Sequence, residues 1–244
     1  MLPSQRLDGV LLRGDRGIDP EGTKIEYAAA ALAWRVTEAW GAYAAATAHD
    51  RDPVHLDSLW LRWHSYSAAD SAWWITLGRQ GMAAGPVISP AGYAGRYAFA
   101  PLAQRMAFDQ ELGDDGVQFG WRDSRLGLDL ALDLGVWRGR RFPGSREGNG
   151  ERPALSVHAG ARQEAWSIDA ALLGFEPRQR GVNTSPALDH SHKPPPCLPA
   201  RRDVLCFDGR VLLAGGSLRW TGTEMATPWP VTLTAAGWLR DERG

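Results

Sequence analysis

The segment from Leu126 to Val136 constrains the fold more than any other. Every even position in it is Leu or Val, and the odd positions are Gly, Asp or Ala. On a strand, successive side chains point to opposite faces. One face is then wholly apolar, and the other carries Asp129 and Asp133. A helix would scatter those leucines around its whole circumference. The same period recurs at Leu59–His64, Trp73–Gly78, Val117–Arg122, Leu155–Gly160, Trp166–Leu172, Leu212–Trp220 and Val231–Ala235. The run from Lys24 to Thr37 is less clean, because Ala28–Ala31 hides the phase and the apolar parity differs on either side. A bulge is expected there, and a weak strand near Val10–Arg13.

The runs span roughly 9–13 residues, longer than the usual strand of about 5–6. A tilted strand crossing a bilayer needs about 9–11. Short connections at Thr37–Gly41, Ser67–Ser71, Asp123–Leu126, Arg162–Glu164 and Gly222–Pro228 alternate with longer ones. The longer ones are His49–Val54, 81–114, Phe142–Arg152 and 177–208. Short turns on one rim and long loops on the other are the pattern of a transmembrane barrel. Trp and Tyr gather near strand ends, at Trp34, Trp40, Tyr43, Trp63, Tyr66, Trp73, Trp74, Trp121, Trp166, Trp220, Trp229 and Trp238, as interfacial girdles require. The expectation is an all-β, antiparallel, up-and-down transmembrane β-barrel, or a large part of one, with about 10–12 strands present in one domain over residues 1–244.

Composition agrees. Of 244 residues, 44% are hydrophobic, 12 are Trp, and Lys occurs only at positions 24 and 193. Half of a barrel strand faces water, which keeps the apolar fraction moderate and leaves no run of 18 apolar residues. A net charge of −1 argues against a nucleic-acid partner, which would need a concentrated basic surface. No nucleophile elbow, HExxH or P-loop occurs, so no enzyme is expected.

If the apolar face meets lipid, the other face lines a lumen. That face would carry Lys24, Glu26, Arg62, His64, Gln118, Arg122, Asp129, Asp133, His158, Arg162, Asp169 and Arg219. Charges of both signs facing water suit a hydrated pore, whereas Arg on lipid would cost about 2–4 kcal/mol at the midplane. Arg79 breaks the pattern, since it shares parity with Trp73, Ile75 and Leu77; it sits at a strand end, where snorkelling costs little. Residues 81–114 are rich in aromatic and apolar side chains, and either fold into the lumen or pack on the rim. Cys197 and Cys206 either pair as a disulfide, which places the chain in an oxidising compartment, or stay reduced and join His190 and His192 as zinc ligands. His190 and His192, with His49, Asp50 and His55 nearby, form a weak zinc constellation whose spacing matches no finger pattern.

Ile75-Thr-Leu-Gly78-Arg79-Gln80, then Asp114-Asp115-Gly116-Val117 and Trp121, resembles Gram-negative outer-membrane porins of the phosphate-selective and alginate-export type. His190-Ser191-His192, followed by Cys206-Phe207-Asp208-Gly209, is similar to the His-rich loop of porin-like proteins associated with zinc-regulated uptake. The resemblance covers roughly residues 55–240. It implies an outer-membrane channel passing small hydrophilic solutes or ions, with the bilayer as partner, a homo-oligomer as one assembly, and no resident cofactor apart from the weak zinc constellation. Such proteins have more strands, begin with a signal peptide and end in an aromatic residue. This chain begins Met-Leu-Pro-Ser-Gln-Arg and ends Asp-Glu-Arg-Gly, and is expected to be part of a longer protein. Two further readings stay open: a secreted Trp-rich β-sandwich binding glycans, and an outer-membrane zinc-capture protein.

Overall fold

A computed structural model describes residues 27–49, 54–68, 70–82, 112–124, 127–140, 144–145, 152–183, 197, 204–222 and 231–244. The described residues are all-β. Strands β1 (Tyr27–Arg35), β2 (Trp40–His49), β3 (His55–Ala68), β4 (Ser71–Gly81), β5 (Gly113–Asp123) and β6 (Asp129–Trp137) come first. They are followed by β7 (Ala154–Gln163), β8 (Trp166–Phe175), β9 (Arg180–Asn183), β10 (Val204–Phe207), β11 (Arg210–Gly222) and β12 (Val231–Arg243).

Ten of these strands form one antiparallel sheet in the order β1-β2-β3-β4-β5-β6-β7-β8-β11-β12. Every neighbour in it follows the last along the chain, apart from β9 and β10, which pair separately as a two-stranded sheet. The up-and-down meander matches the sequence expectation; closure into a barrel does not appear. Strand β1 pairs only with β2, and β12 only with β11, so the sheet is open at both edges. Ten strands in one sheet also exclude the β-sandwich architecture for this part of the chain.

The Lys24–Thr37 ambiguity resolves into a regular β1, paired to β2 without interruption from Tyr27↔His49 to Arg35↔Gly41. Register shifts fall instead between Ala45 and Ala46 of β2 and between Tyr66 and Ala68 of β3. The segments around Val10 and within 83–111 lie outside the described residues.

Register fixes which side chains share a face, because directly opposed residues point the same way. One row runs Trp40, Trp63, Ile75, Phe119, Leu134, Val157, Leu172, Ala214, Leu239 across nine strands. Every member is apolar, and this face is the open one: Leu134 is 41% exposed, Leu172 47% and Leu239 76%. The adjacent residues along each strand belong to the other face. There the row His64, Trp74, Gly120, Asp133, His158, Ala171, Gly215, Trp238 is half-buried to buried.

The sheet thus reverses the polarity of a soluble β protein, which hides its apolar face. A small apolar cluster does form on the polar face at the loop end, from Met82, Leu112, Trp137, Leu173, Phe175, Val211 and Leu213. Beside this end, Cys197 and Cys206 are joined by a disulfide, tying the approach to β10 to β10 itself.

Candidate functional site

The polar face holds one connected group of side chains across β3–β8 and β11. Its centre is His158. The imidazole Nδ1 lies 3.0 Å from Asp133 Oδ2 and Nε2 lies 3.1 Å from Asp169 Oδ1, so the ring bridges β6 to β8 over β7. Asp133 is 3% exposed and accepts two further bonds, from Gln118 Nε2 at 3.1 Å and Arg122 Nη2 at 3.2 Å. On the far side, Ser217 Oγ of β11 reaches Asp169 Oδ2 at 3.5 Å. Strand geometry makes this possible: Asp133↔His158 are directly opposed, and Asp169 and Ser217 are opposed one row away. A buried carboxylate persists only when its oxygens find donors: Asp133 has three, and the half-buried Asp169 has two.

The second part of the group is cationic and aromatic. Arg62 Nε donates to Thr76 Oγ1 at 2.8 Å, and its guanidinium stacks on Trp60 at 4.6 Å and Trp74 at 5.6 Å. Arg122 stacks on the same Trp74 indole at 4.9 Å. Two guanidiniums on one ring are tolerable because the ring face is electron-rich and Asp133 lies beside Arg122. The flat lie of Trp74 depends on Gly120: a Cβ there would collide with the indole. Gly215 makes the same room for Trp238. These rings cover the sheet instead of projecting from it.

Ten of the twelve residues assigned to this face from the sequence fall on it by register: Arg62, His64, Gln118, Arg122, Asp129, Asp133, His158, Arg162, Asp169 and Arg219. The structure brings Gln118, Arg122, Asp133, His158 and Asp169 into direct contact, with Arg62 stacked beside them. Asp129 and Arg162 are opposed in register at the turn end, and Arg219 is opposed to Ser167 there. Lys24 and Glu26 lie outside the described residues, as do His190, His192 and Asp50. His49 and His55 sit at the ends of β2 and β3. Among the described residues no three His, Cys, Asp or Glu side chains are placed to hold a metal ion, and the bonded cysteines offer no thiolate.

Three aromatics assigned to the girdle, Tyr43, Trp74 and Trp238, belong to the polar face, together with Trp60 and Trp137. The parity of Trp74 against Trp73 carries that signal; proximity to a strand end does not. The Trp137 indole Nε1 donates to Ser156 Oγ at 2.8 Å. Trp34, Trp40, Trp63, Trp73, Trp121, Trp166 and Trp220 are on the apolar face, toward the turn end, whereas Trp229 and the Tyr66 side chain lie outside the described residues. Trp63 and Trp73 meet edge to face at 4.8 Å.

Arg79 is explained by its partner. It lies on the apolar face opposite Asp115, with Nε 2.8 Å from Asp115 Oδ1. Just past β8, the Arg152 guanidinium holds the Glu176 carboxyl below the usual carboxylate range. Comparison with protein-family models, curated proteins and solved structures finds no match to this chain.

Proposed function

We propose that the chain forms the wall of an outer-membrane, porin-like channel, with its apolar face on lipid and its polar face lining an aqueous lumen. The observation that carries this reading is the reversed polarity of the sheet. A nine-strand row without one polar residue is exposed, while Asp133 and His158 are buried on the opposite face. In water, exposing such a row would invite association; against acyl chains it is stabilising. The tryptophans at the turn end would sit at the headgroup level, where amphipathic rings are favoured.

A membrane-spanning sheet must satisfy every backbone group internally, so β1 and β12 need partners. Ten strands is an even number, and β1 and β12 therefore run in opposite directions. They can zip together antiparallel, closing the barrel. Passage of small hydrophilic solutes would be passive, with Arg62, Arg122, Arg162, Arg219, Asp129 and Asp133 setting the field along the wall. The test is refolding in detergent followed by planar-bilayer recording. Stepwise conductance is expected, together with faster migration of unboiled than boiled protein on a denaturing gel. A folded protein that gives no conductance overturns the channel, and one that stays soluble without detergent overturns the membrane reading.

A further inference from the structure

The apolar face ends abruptly at the loop rim. Two residues along each strand from the last apolar row, the outward positions become Arg79 and Asp115, and the same parity continues to Arg138 and Glu176 just past β6 and β8. Arg210 and Arg243 finish the row on β11 and β12. The turn rim of this face carries tryptophans and no arginine among its described residues. The two borders of the apolar band therefore differ in chemistry: aromatic at one, arginine-rich at the other.

The row holds four arginines against two carboxylates, and those carboxylates are already engaged. Asp115 accepts from Arg79, and Glu176 accepts from Arg152 at 2.5 Å. Arg210 and Arg243 are directly opposed in register, with side chains 82% and 83% exposed. Like charges facing each other across a strand pair are destabilising. Each has one carboxylate at its side: Glu176 lies 3.5 Å from Arg210 and is shared with Arg152, and Asp241 accepts from Arg243 Nε at 2.9 Å, which leaves the outer guanidinium edges open to an anion. A divalent oxyanion between the two guanidiniums would turn that repulsion into attraction, and guanidinium forks match phosphate oxygens bidentately.

Resting on the membrane reading above, we infer that this arginine row binds the phosphate of an anionic lipid headgroup in the leaflet at the loop rim. Lipid is favoured over a free ion because the row continues the apolar face without a break. A headgroup phosphate lies at the height where acyl-chain contact ends. Basic side chains at a membrane border each strengthen binding to anionic lipid.

The experiment uses the full chain, as wild type and as Arg210→Gln/Arg243→Gln, two exposed positions whose change leaves the sheet intact. Each is reconstituted into phosphatidylcholine vesicles with or without a bis-phosphorylated glycolipid, and bound lipid is read by native mass spectrometry after extraction. The wild type is expected to retain the glycolipid, and the double variant to retain it roughly 30-fold less. Equal retention by both proteins overturns the inference, and so does full competition by inorganic phosphate, which would show an ion site. Failure to float with any vesicle overturns the membrane reading itself, and is seen before lipids are compared.

Discussion

Trp74 on β4 lies flat over Gly120 on β5, in the space where any other residue would place its Cβ. This contact sets the position of the indole on which both Arg62 and Arg122 stack. Gly120→Val is expected to lift the ring off the wall. Overpacking of this kind costs about 1–3 kcal/mol. It would also scatter the two guanidiniums and, in the proposed channel, narrow the lumen. The check is single-channel conductance alongside the urea midpoint: conductance falls by more than the loss of folded protein explains. Unchanged conductance would show that Trp74 does not border the path.

The bridge from Asp133 through His158 to Asp169 joins three strands by one side chain. Both ring nitrogens face carboxylates, so His158→Ala leaves Asp133 and Asp169 without the donors between them. Removing one member of a buried charged pair costs about 3–5 kcal/mol, and water entering the lumen would reduce that. His158→Gln keeps a donor within reach and is expected to lose less. Urea unfolding in detergent ranks the three proteins. Equal midpoints for wild type and His158→Ala would show that the bridge contributes nothing to the fold.

The period of two was enough to recover the meander, since a residue's parity sets its face whatever its neighbours do. Leu126–Val136 and its partners therefore predicted both faces of the sheet, including the ten of the twelve named polar-face residues that are described. Parity also flagged Arg79 as outward-facing, but not that Asp115 would neutralise it, because that pairing depends on the register between β4 and β5. Strands β9 and β10 went unseen. They have four residues each, too few to show a period, and they pair with each other rather than with the main sheet. The edge strands differ: β12 alternates like an inner strand, whereas the alanines of β1 hide the phase, so alternation alone does not mark an edge.

The apolar row gives a test in which the two environments predict opposite signs. Leu134 and Val157 are opposed at its centre, 41% and 42% exposed. In water, Leu134→Arg on an exposed face would be near neutral and would raise solubility. In a bilayer it costs about 2–4 kcal/mol near the midplane. Folding yield into vesicles and the unfolding midpoint there are expected to drop. Arg at Leu239→Arg, on the edge strand β12, reports on the seam by the same measurement. An increase in soluble monomer with no loss of stability would place the face in water.

The disulfide between Cys197 and Cys206 spans nine positions of sequence and reaches only β10, which pairs with β9 alone. Closing a loop of this size restrains the unfolded chain by about 2–3 kcal/mol. The restraint should act locally, because β9 and β10 are not hydrogen-bonded into the ten-stranded sheet. Reduction, or Cys197→Ser/Cys206→Ser, is therefore expected to raise protease cleavage between residues 184 and 203 while the sheet unfolds at an unchanged urea midpoint. Among the described residues β9 and β10 are braced to the sheet by Arg180, through Glu242 of β12 at 2.7 Å, and by Phe207, which packs against the apolar cluster. If the midpoint falls together with protease resistance, these contacts transmit the order of β9 and β10 to the sheet, and the edge strand depends on the disulfide.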